Sequence, residues 1–584
     1  MARTRSGPRA ARDVPPVLDG LVLTRCGGSV ALDVATRHLE LLGCRSVDAP
    51  EHRESGTPGS TAGYLELHRV EDGWPSPPAG PPPGDLPSAD AAVRCGIDWA
   101  GPVDLPVQDE AGVQAACGIM QVHGRRSGAP AALCIDYASA TAGVLATQGV
   151  LAVLLAQQRG MNLRHVTTSV TQAALLAVSQ YLAAATAADE WSEPHLPGGP
   201  PFTSADDVRF EIEALDAEGW WRFWTSLGAD PVAVARGWRP FQHRYGTATC
   251  PLPRDLHQAA AARSFAAVSV AATEAGISVL QVVSDMTSHS SHNHSRGRVE
   301  CTADRPPWAI TPLRGSAPAA LAPGPGQIGS LPLAGLVVVE SCRRVQGPLA
   351  GHLLRLLGAR VTRIEPPGGD PLRGVPPMAG DCSARFHALN HGKQVVELDL
   401  KSAPGRRALR ELVADADVFV HNWAPDKAGQ WDLDAEHLCE VRPGLVYASA
   451  SGWGEALGPA PPLGTDFLVQ AHSGLAALVV PDGEAPAPSL MTLTDVLGGA
   501  ICAQGVLAGL LARARTGRGQ RVDSSLLSAA AVLLPHSSRP QSSQQERAGI
   551  PMCTDLAGLA TDPHFAAAVA HDGTTLPRPP WEFT

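Results

Sequence analysis

"QGVLAVLLA" at Gln148–Ala156 and "QGVLAGLLA" at Gln504–Ala512 agree in eight of nine letters, 356 residues apart. Apolar runs of this kind, rich in Ala and Gly, read as buried helices. Meeting one twice raises the question of duplication, which decides the fold. The match runs without a gap from Val113-Gln114-Ala115 against Val469-Gln470-Ala471 to Val166 and Ser169 against Val522 and Ser525.

Two further matches lie in line with it. "LDGLVLTRCGGSVALDVATRHLELLGCR" from Leu18 pairs with "LAGLVVVESCRRVQGPLAGHLLRLLGAR" from Leu333, at an offset of 315. "AGI" at Ala275 and "RPPWAIT" at Arg305 pair with "AGI" at Ala548 and "RPPWEFT" at Arg578, at an offset of 273. The chain is a tandem duplication, with each copy trimmed in a different place. Offsets of 356 and 315 mean that the second copy holds 41 more residues in its first half. Offsets of 356 and 273 mean that the first copy keeps 83 residues, between about Leu176 and Ala275, that the second lacks. Linker-like stretches stand where pieces are missing or joined: "WPSPPAGPPPGDLP" from Trp74, "RGSAPAALAPGPGQIGS" from Arg314 and "HSSRPQSSQQER" from His536.

Each copy reads as α/β. "GLVVVE" is a short strand, "PLAGHLLRLLGA" a helix stopping at Gly358, and "RVTRIE" the next strand. "APGRRALRELVADA" is an amphipathic helix, with "DVFVHN" and "LVYASAS" as strands. This alternation implies a mostly parallel sheet covered on both faces. "DAEGWWRFWTSLG" and the helical stretch from Leu256 suggest a small mixed domain at roughly 200–283. The boundaries are a tail at 1–17, a first large-domain copy at 18–190, and its small domain and return segment at 191–315. A linker at 316–330, a second large-domain copy at 331–535, a linker at 536–547 and a return segment at 548–584 complete the chain.

Hydrophobic residues make up 44% of the 584, enough for real cores, and a net charge of −11 argues against a nucleic-acid surface. The twelve cysteines form no C-x-x-C and no zinc spacing, so buried thiols in a reducing cytoplasm are expected. The Arg- and Pro-rich N-terminus has no apolar core of a signal peptide and reads as a disordered tail. The apolar runs fall short of the ~20 residues a membrane span needs. "VVVESCRRVQGPLAG" is not the glycine pattern of a nicotinamide site, and no P-loop or G-x-S-x-G occurs. "SHSSHNHSRGR" from Ser288 brings His289, His292 and His294 together and reads as a solvated loop before it reads as a metal site, so no metal is expected.

The second copy carries, in order, "GPLAGHLLRLLGARVTRIEPPGGDPLRG", "NHGKQVVELDLKSAPGRRALRELVADADVFVHNW", "GLVYASASGWG", "GTDFLVQAHSGL", "TDVLGGAICAQGVLAGLLARARTGRGQRVDSSLLSAA" and "LPRPPWEFT". This series resembles the class III CoA-transferases of the CaiB/BaiF type over most of 331–584. The first copy looks like a divergent relative. The resemblance implies two Rossmann-like large-domain copies in tandem with one smaller α+β domain, an intramolecular version of that family's interlocked dimer. It also implies a reaction: an aspartate attacks an acyl-CoA thioester, forms an acyl anhydride, captures CoA as an aspartyl thioester, and passes CoA to an acceptor acid. Such chemistry needs an ionised carboxylate in a site that excludes water.

The matching aspartate is Asp495 in "LTDVLGGAICAQGVLA"; the bland alternative is an N-cap for the helix that follows. Gly498 and Gly499 would let a bulky thioester approach the backbone. At the same offset the first copy has Ser139, with Asp136 three residues earlier, so it is expected to be silent. The resemblance implies CoA contacts from Asn390, Gly392 and Lys393 of an N-x-G-K turn, from the Asn422–Trp423 pair, and from Lys427. For "NHGK" an ordinary surface turn is the alternative. Val345 and Gln346, with Thr465 and Asp466, would line the substrate pocket. Glu110 aligns with Asp466. Two departures touch CoA binding: Gln430-Trp431-Asp432 stands where an Arg-Leu-Gly is common, and Pro366 follows Glu365. Thr465 replaces the histidine of the family's racemases, and threonine is no such base. CoA transfer therefore leads, with racemisation and an inactive assembly partner as alternatives. Expected partners are an acyl-CoA and a carboxylic acid, with CoA as cosubstrate and no tightly bound cofactor. No nucleic acid and no membrane are expected. The interlocked family dimer would here be a pseudo-dimer within one chain, able to form higher oligomers.

Overall fold

The computed structural model describes residues 16–48, 61–69, 93–189, 196–284, 305–313, 321, 323–324, 330–537 and 549–584. The histidine loop from Ser288, the linker from Trp74 and most of the other two linkers lie outside these residues.

The repeat offsets reappear as paired elements. The helix Tyr137–Gln158 and the helix Leu493–Thr516 begin 356 residues apart, as do Val170–Ala177 and Leu526–Leu533. The two long helices are apolar and long enough, at 22 and 24 residues, to cross a membrane, which departs from the shorter runs read in the sequence. Both are buried within the protein and pack on each other, with Gln148 Nε2 donating to the Ala500 carbonyl at 2.7 Å. The glycine of each "QGVLA" has a packing reason. A Cβ at Gly149 would come within 2.8 Å of Val166, and one at Gly505 within 2.8 Å of Val522.

The second copy builds a seven-stranded sheet in the order Gln394–Glu397, Arg360–Glu365, Val337–Ser341, Val418–His421, Val446–Ser451, Gln520–Ser525 and Trp308–Pro312. The first six are parallel, and the last is antiparallel. Strand order reverses between Val337–Ser341 and Val418–His421, which opens a crevice at their C-terminal ends. Gly358, at φ +106, ends the helix before Arg360 as its position suggested.

The first copy departs from the parallel expectation. Its sheet runs Arg45–Asp48, Leu21–Cys26, Thr61–Arg69, Val93–Asp98, His165–Ser169, Glu582–Phe583. Thr61–Arg69 occupies the place that Val418–His421 holds in the other sheet, but runs antiparallel to both neighbours. A parallel strand needs a crossover of a dozen or more residues on each side, usually helical. The first copy has lost the segment that supplies it, so a hairpin-type strand fills the gap.

The return segments are exchanged. Trp308–Pro312, from the first copy, completes the second copy's sheet, and Glu582–Phe583 completes the first. Their tryptophans follow: Trp308 lies 3.4 Å from the Cβ position at Gly505, and Trp581 lies 3.3 Å from that at Gly149. The small domain comprises strands Phe202–Thr203, Arg209–Glu213 and Ser278–Gln281 with four helices from Ala217 to Ala275. Trp220, Phe223, Trp224, Phe202, Phe210 and Phe241 fill its core. It sits on the second copy: Val283 N–H donates to the Ala471 carbonyl at 2.9 Å, and Leu463 N–H to Ser278 Oγ at 2.9 Å.

Candidate active site

A cavity of about 1390 Å³ occupies the crevice at the strand C-termini, and Asp495 lies in its wall. Leu493 is the first residue of the long helix and Thr492 its cap, so Asp495 is the third helical residue and not the cap. A helix's first turn presents unpaired N–H groups and favours an anion.

The cap is supplied from elsewhere. Asp466, the first residue of the helix Asp466–Ser473, accepts the Asp495 N–H at 2.7 Å and the Thr494 hydroxyl at 2.8 Å. Gln470 donates to the other Asp466 oxygen and is itself fixed by Ser489, accepting its N–H at 2.9 Å and donating to its carbonyl at 3.1 Å. Asp466 is fully buried and does not line the cavity, contrary to its expected place in the pocket. Burial pushes its carboxyl up to about 6, against the hydrogen bonds that favour its charged form. Burial, reinforced by the nearby Asp466 charge, holds the Asp495 carboxyl well above the usual range, while Arg344 works the other way.

Arg344 was not singled out from the sequence, although it directly precedes Val345. It lines the cavity and donates through Nη1 to Tyr245 Oη at 3.2 Å. Tyr245 belongs to the first copy's small domain, donates to Glu213, and stacks on Phe467 of the second copy with ring centroids 5.0 Å apart. The first copy therefore braces Arg344 in the cavity wall that also holds Asp495.

The other expected pocket residues divide. Thr465 lines the cavity, and its hydroxyl has no hydrogen-bond partner among the described residues. Gln346 lines it too, with Nε2 donating to the Ser451 carbonyl at 3.3 Å. Val345 is buried behind it. Gly498 and Gly499 serve packing, not substrate approach: a Cβ at Gly499 would meet the Gln346 carbonyl at 2.6 Å, and one at Gly498 the Gln346 amide at 3.1 Å.

Of the expected CoA contacts, Asn422 and Trp423 reach the cavity wall. Asn422 accepts from Arg343 N–H at 2.9 Å and donates to its carbonyl at 2.8 Å, fixing the loop that carries Arg344. Trp423 Nε1 donates to Ser341 Oγ at 3.0 Å. Lys427 does not line the cavity; it bonds Gln430 at 3.2 Å and lies 5.2 Å from the Trp431 ring centre. Lys393 turns inward. Its Nζ meets Glu340 at 2.8 Å, the Pro348 carbonyl at 2.7 Å and Asn390 Oδ1 at 3.0 Å, with no exposure. Glu340 is shared with Arg363 at 2.6 Å, so a buried ion network takes both Lys393 and Asn390 away from any ligand. Gly392 makes the turn between them at φ +72.

The first copy reproduces the clamp with Ser139 in the place of Asp495. Glu110 accepts from Ala138 N–H at 2.9 Å, Ser139 N–H at 2.8 Å and Ser139 Oγ at 2.6 Å, and Gln114 braces it at 2.9 Å. Ser139 holds the third helical position, as Asp495 does, so no gap brings Asp136 there. Other residues missed in the sequence line the same cavity: Arg37 and His38 of the helix Val30–Leu41, and Arg305 and Trp308. His38 Nδ1 lies 3.1 Å from Gln504 Oε1, and burial lowers its pKa to about 4.

A family model described as CoA-transferase family III matches residues 102–329 and 333–553. An acetyl-CoA:oxalate CoA-transferase of Acetobacter aceti is 36% identical over 207 residues, 35% of this chain and 53% of its own. A succinate–glutarate CoA-transferase of Agrobacterium fabrum is 34% identical over 212 residues, again 35% of this chain and 53% of its own. The chain spans about half the length of the curated relatives it matches. A crystal structure of a CaiB/BaiF family protein from Brucella suis is 34% identical, covering 35% of this chain and 56% of that one, with a TM-score of 0.33.

Proposed function

The chain belongs to CoA-transferase family III, and we propose that it moves CoA from an acyl-CoA to a carboxylic acid at one site, with Asp495 as nucleophile. The observation that carries this reading is a carboxylate in a cavity wall whose backbone N–H, but not its carboxyl, is held by Asp466. The carboxylate oxygen attacks the thioester carbonyl; the C–S bond breaks and CoA leaves as thiolate. The thiolate then attacks the Asp495 carbonyl of the anhydride, releasing the donor acid and leaving an aspartyl thioester. An acceptor carboxylate attacks that thioester, expelling CoA thiolate and forming a second anhydride; the thiolate then attacks the acceptor's carbonyl, and Asp495 leaves as the free carboxylate. Arg344 and the helix N-terminus favour the ionised nucleophile. Trp423 offers an aromatic face for the nucleotide. The named relatives act on acids with two carboxylates, and we infer acceptors of that kind.

We infer further that the two copies form a pseudo-dimer with one working site, the first copy supplying the lid and Ser139 leaving its own half silent. A cytoplasmic location goes with this reading on the scattered cysteine pattern. Incubating the protein with succinyl-CoA or acetyl-CoA and a panel of mono- and dicarboxylic acids, with product acyl-CoAs read by mass spectrometry, tests the activity. CoA esters of the added acids are expected; hydrolysis alone would count against it. Residues 331–584 expressed alone are expected to be inactive, and full activity there would remove the lid's role.

A further inference from the structure

Arg344 has φ +65, a conformation rarely adopted by a residue with a side chain and kept where the surroundings fix it. Those surroundings come from the other copy. The guanidinium lies 5.1 Å from the Tyr245 ring centre and donates to the Tyr245 hydroxyl, which donates to Glu213. Glu213 is matched by Arg244 at 3.2 Å. Arg344 and Asp495 both line the cavity and each favours the other's charged form, with Glu213 the other carboxylate acting on Arg344. The other charged or titratable groups that act on Asp495 are Asp466, Glu213 and Tyr137, so Arg344 is the cation of that set.

In the anhydride and thioester states described above, Asp495 carries no charge. Arg344, exposed at the cavity wall, then loses the attraction of the Asp495 charge, which leaves it free to hold another anion there. We propose that Arg344, braced by Tyr245 and Glu213 of the first copy, seats the acceptor's carboxylate, and that the seat fills when Asp495 is uncharged. This rests on the CoA-transferase reading and deepens it. The two copies jointly build the acceptor site, and the order of binding follows from electrostatics. An ionised Asp495 repels the acceptor; acylation of Asp495 by the donor draws it in.

The test is a calorimetric titration of the full-length protein with acetate and with succinate at constant ionic strength. Wild type, Asp495→Asn, Asp495→Asn/Arg344→Gln and Asp495→Asn/Tyr245→Phe are compared across pH. Asp495→Asn is expected to bind carboxylates about tenfold tighter than wild type at high pH. The gap is expected to close as pH falls and wild-type Asp495 takes up a proton. Adding Arg344→Gln should remove the gain, and adding Tyr245→Phe should reduce it several-fold. Equal affinity of wild type and Asp495→Asn at every pH would overturn the proposal. So would an Asp495→Asn/Arg344→Gln protein that binds as tightly as Asp495→Asn, or no binding in any variant. Hydroxylamine trapping of wild type with acyl-CoA and no added acid is run beside it. A failure there counts against the transferase reading, whereas the titration speaks to the seat itself.

Discussion

Ser139 and Asp495 occupy the same place in two helices built alike. Each is the third residue of a long buried helix, and each has its N–H held by an acid that a glutamine braces. The difference lies in the side chain. Glu110 grips the Ser139 hydroxyl at 2.6 Å, whereas Asp466 takes the Asp495 N–H and the Thr494 hydroxyl and leaves the Asp495 carboxyl facing the cavity. The clamp is therefore a device for starting a buried helix, kept in both copies. In the proposed reaction the two halves differ by this one residue, Asp495 against Ser139.

That comparison can be broken from either side. Making the second copy like the first, with Asp495→Ser, is expected to lower CoA transfer by at least about a thousandfold with little change in thermal stability. Retained transfer would remove the nucleophile from the account. The reverse change, Ser139→Asp, puts a second carboxylate against buried Glu110. It should cost about 3 kcal/mol in denaturant unfolding and confer no activity. Lys393→Met removes a buried partner of Glu340 and should lower stability by about 3 kcal/mol, with the KM for acyl-CoA of the folded fraction little changed. A large KM effect at unchanged stability would restore Lys393 to the CoA site. Arg344→Gln is read from the pH profile. In the proposed reaction Asp495 works ionised, and burial raises its carboxyl, so kcat should fall as pH drops through a range above that of ordinary carboxylates. Arg344 favours the charged form, so its removal should move that limb to higher pH. Lys427→Ala should change the KM for acyl-CoA by less than about twofold, since Lys427 is occupied with Gln430 and Trp431.

The duplication was legible because packing preserves letters. Gly149 and Gly505 are held by Val166, Val522 and the exchanged tryptophans, and the same contacts kept the repeat visible. The place of Asp495 at the start of the long helix was legible from its position ahead of that repeat. The exchange of strands was half visible, since "RPPWAIT" and "RPPWEFT" were seen to match but not to cross. The antiparallel strand Thr61–Arg69 was missed because its sequence matches nothing in the second copy, although it takes the place of Val418–His421 in the sheet. Lys393 misled because an N-x-G-K turn reads the same whether its lysine faces a ligand or Glu340. Arg344 and Tyr245 lie 99 residues apart on different copies, and only the fold brings them together.

Whether one of the two sister helices carries the one nucleophile is read directly by peptide mass spectrometry of the full-length protein after incubation with acyl-CoA and hydroxylamine. One hydroxamate per chain, on the peptide carrying Asp495 and absent from Asp495→Ser, is the expected result. An adduct on the Asp136–Ser139 segment or on Asp466, or an unmodified Asp495 in a protein that still transfers CoA, would contradict it.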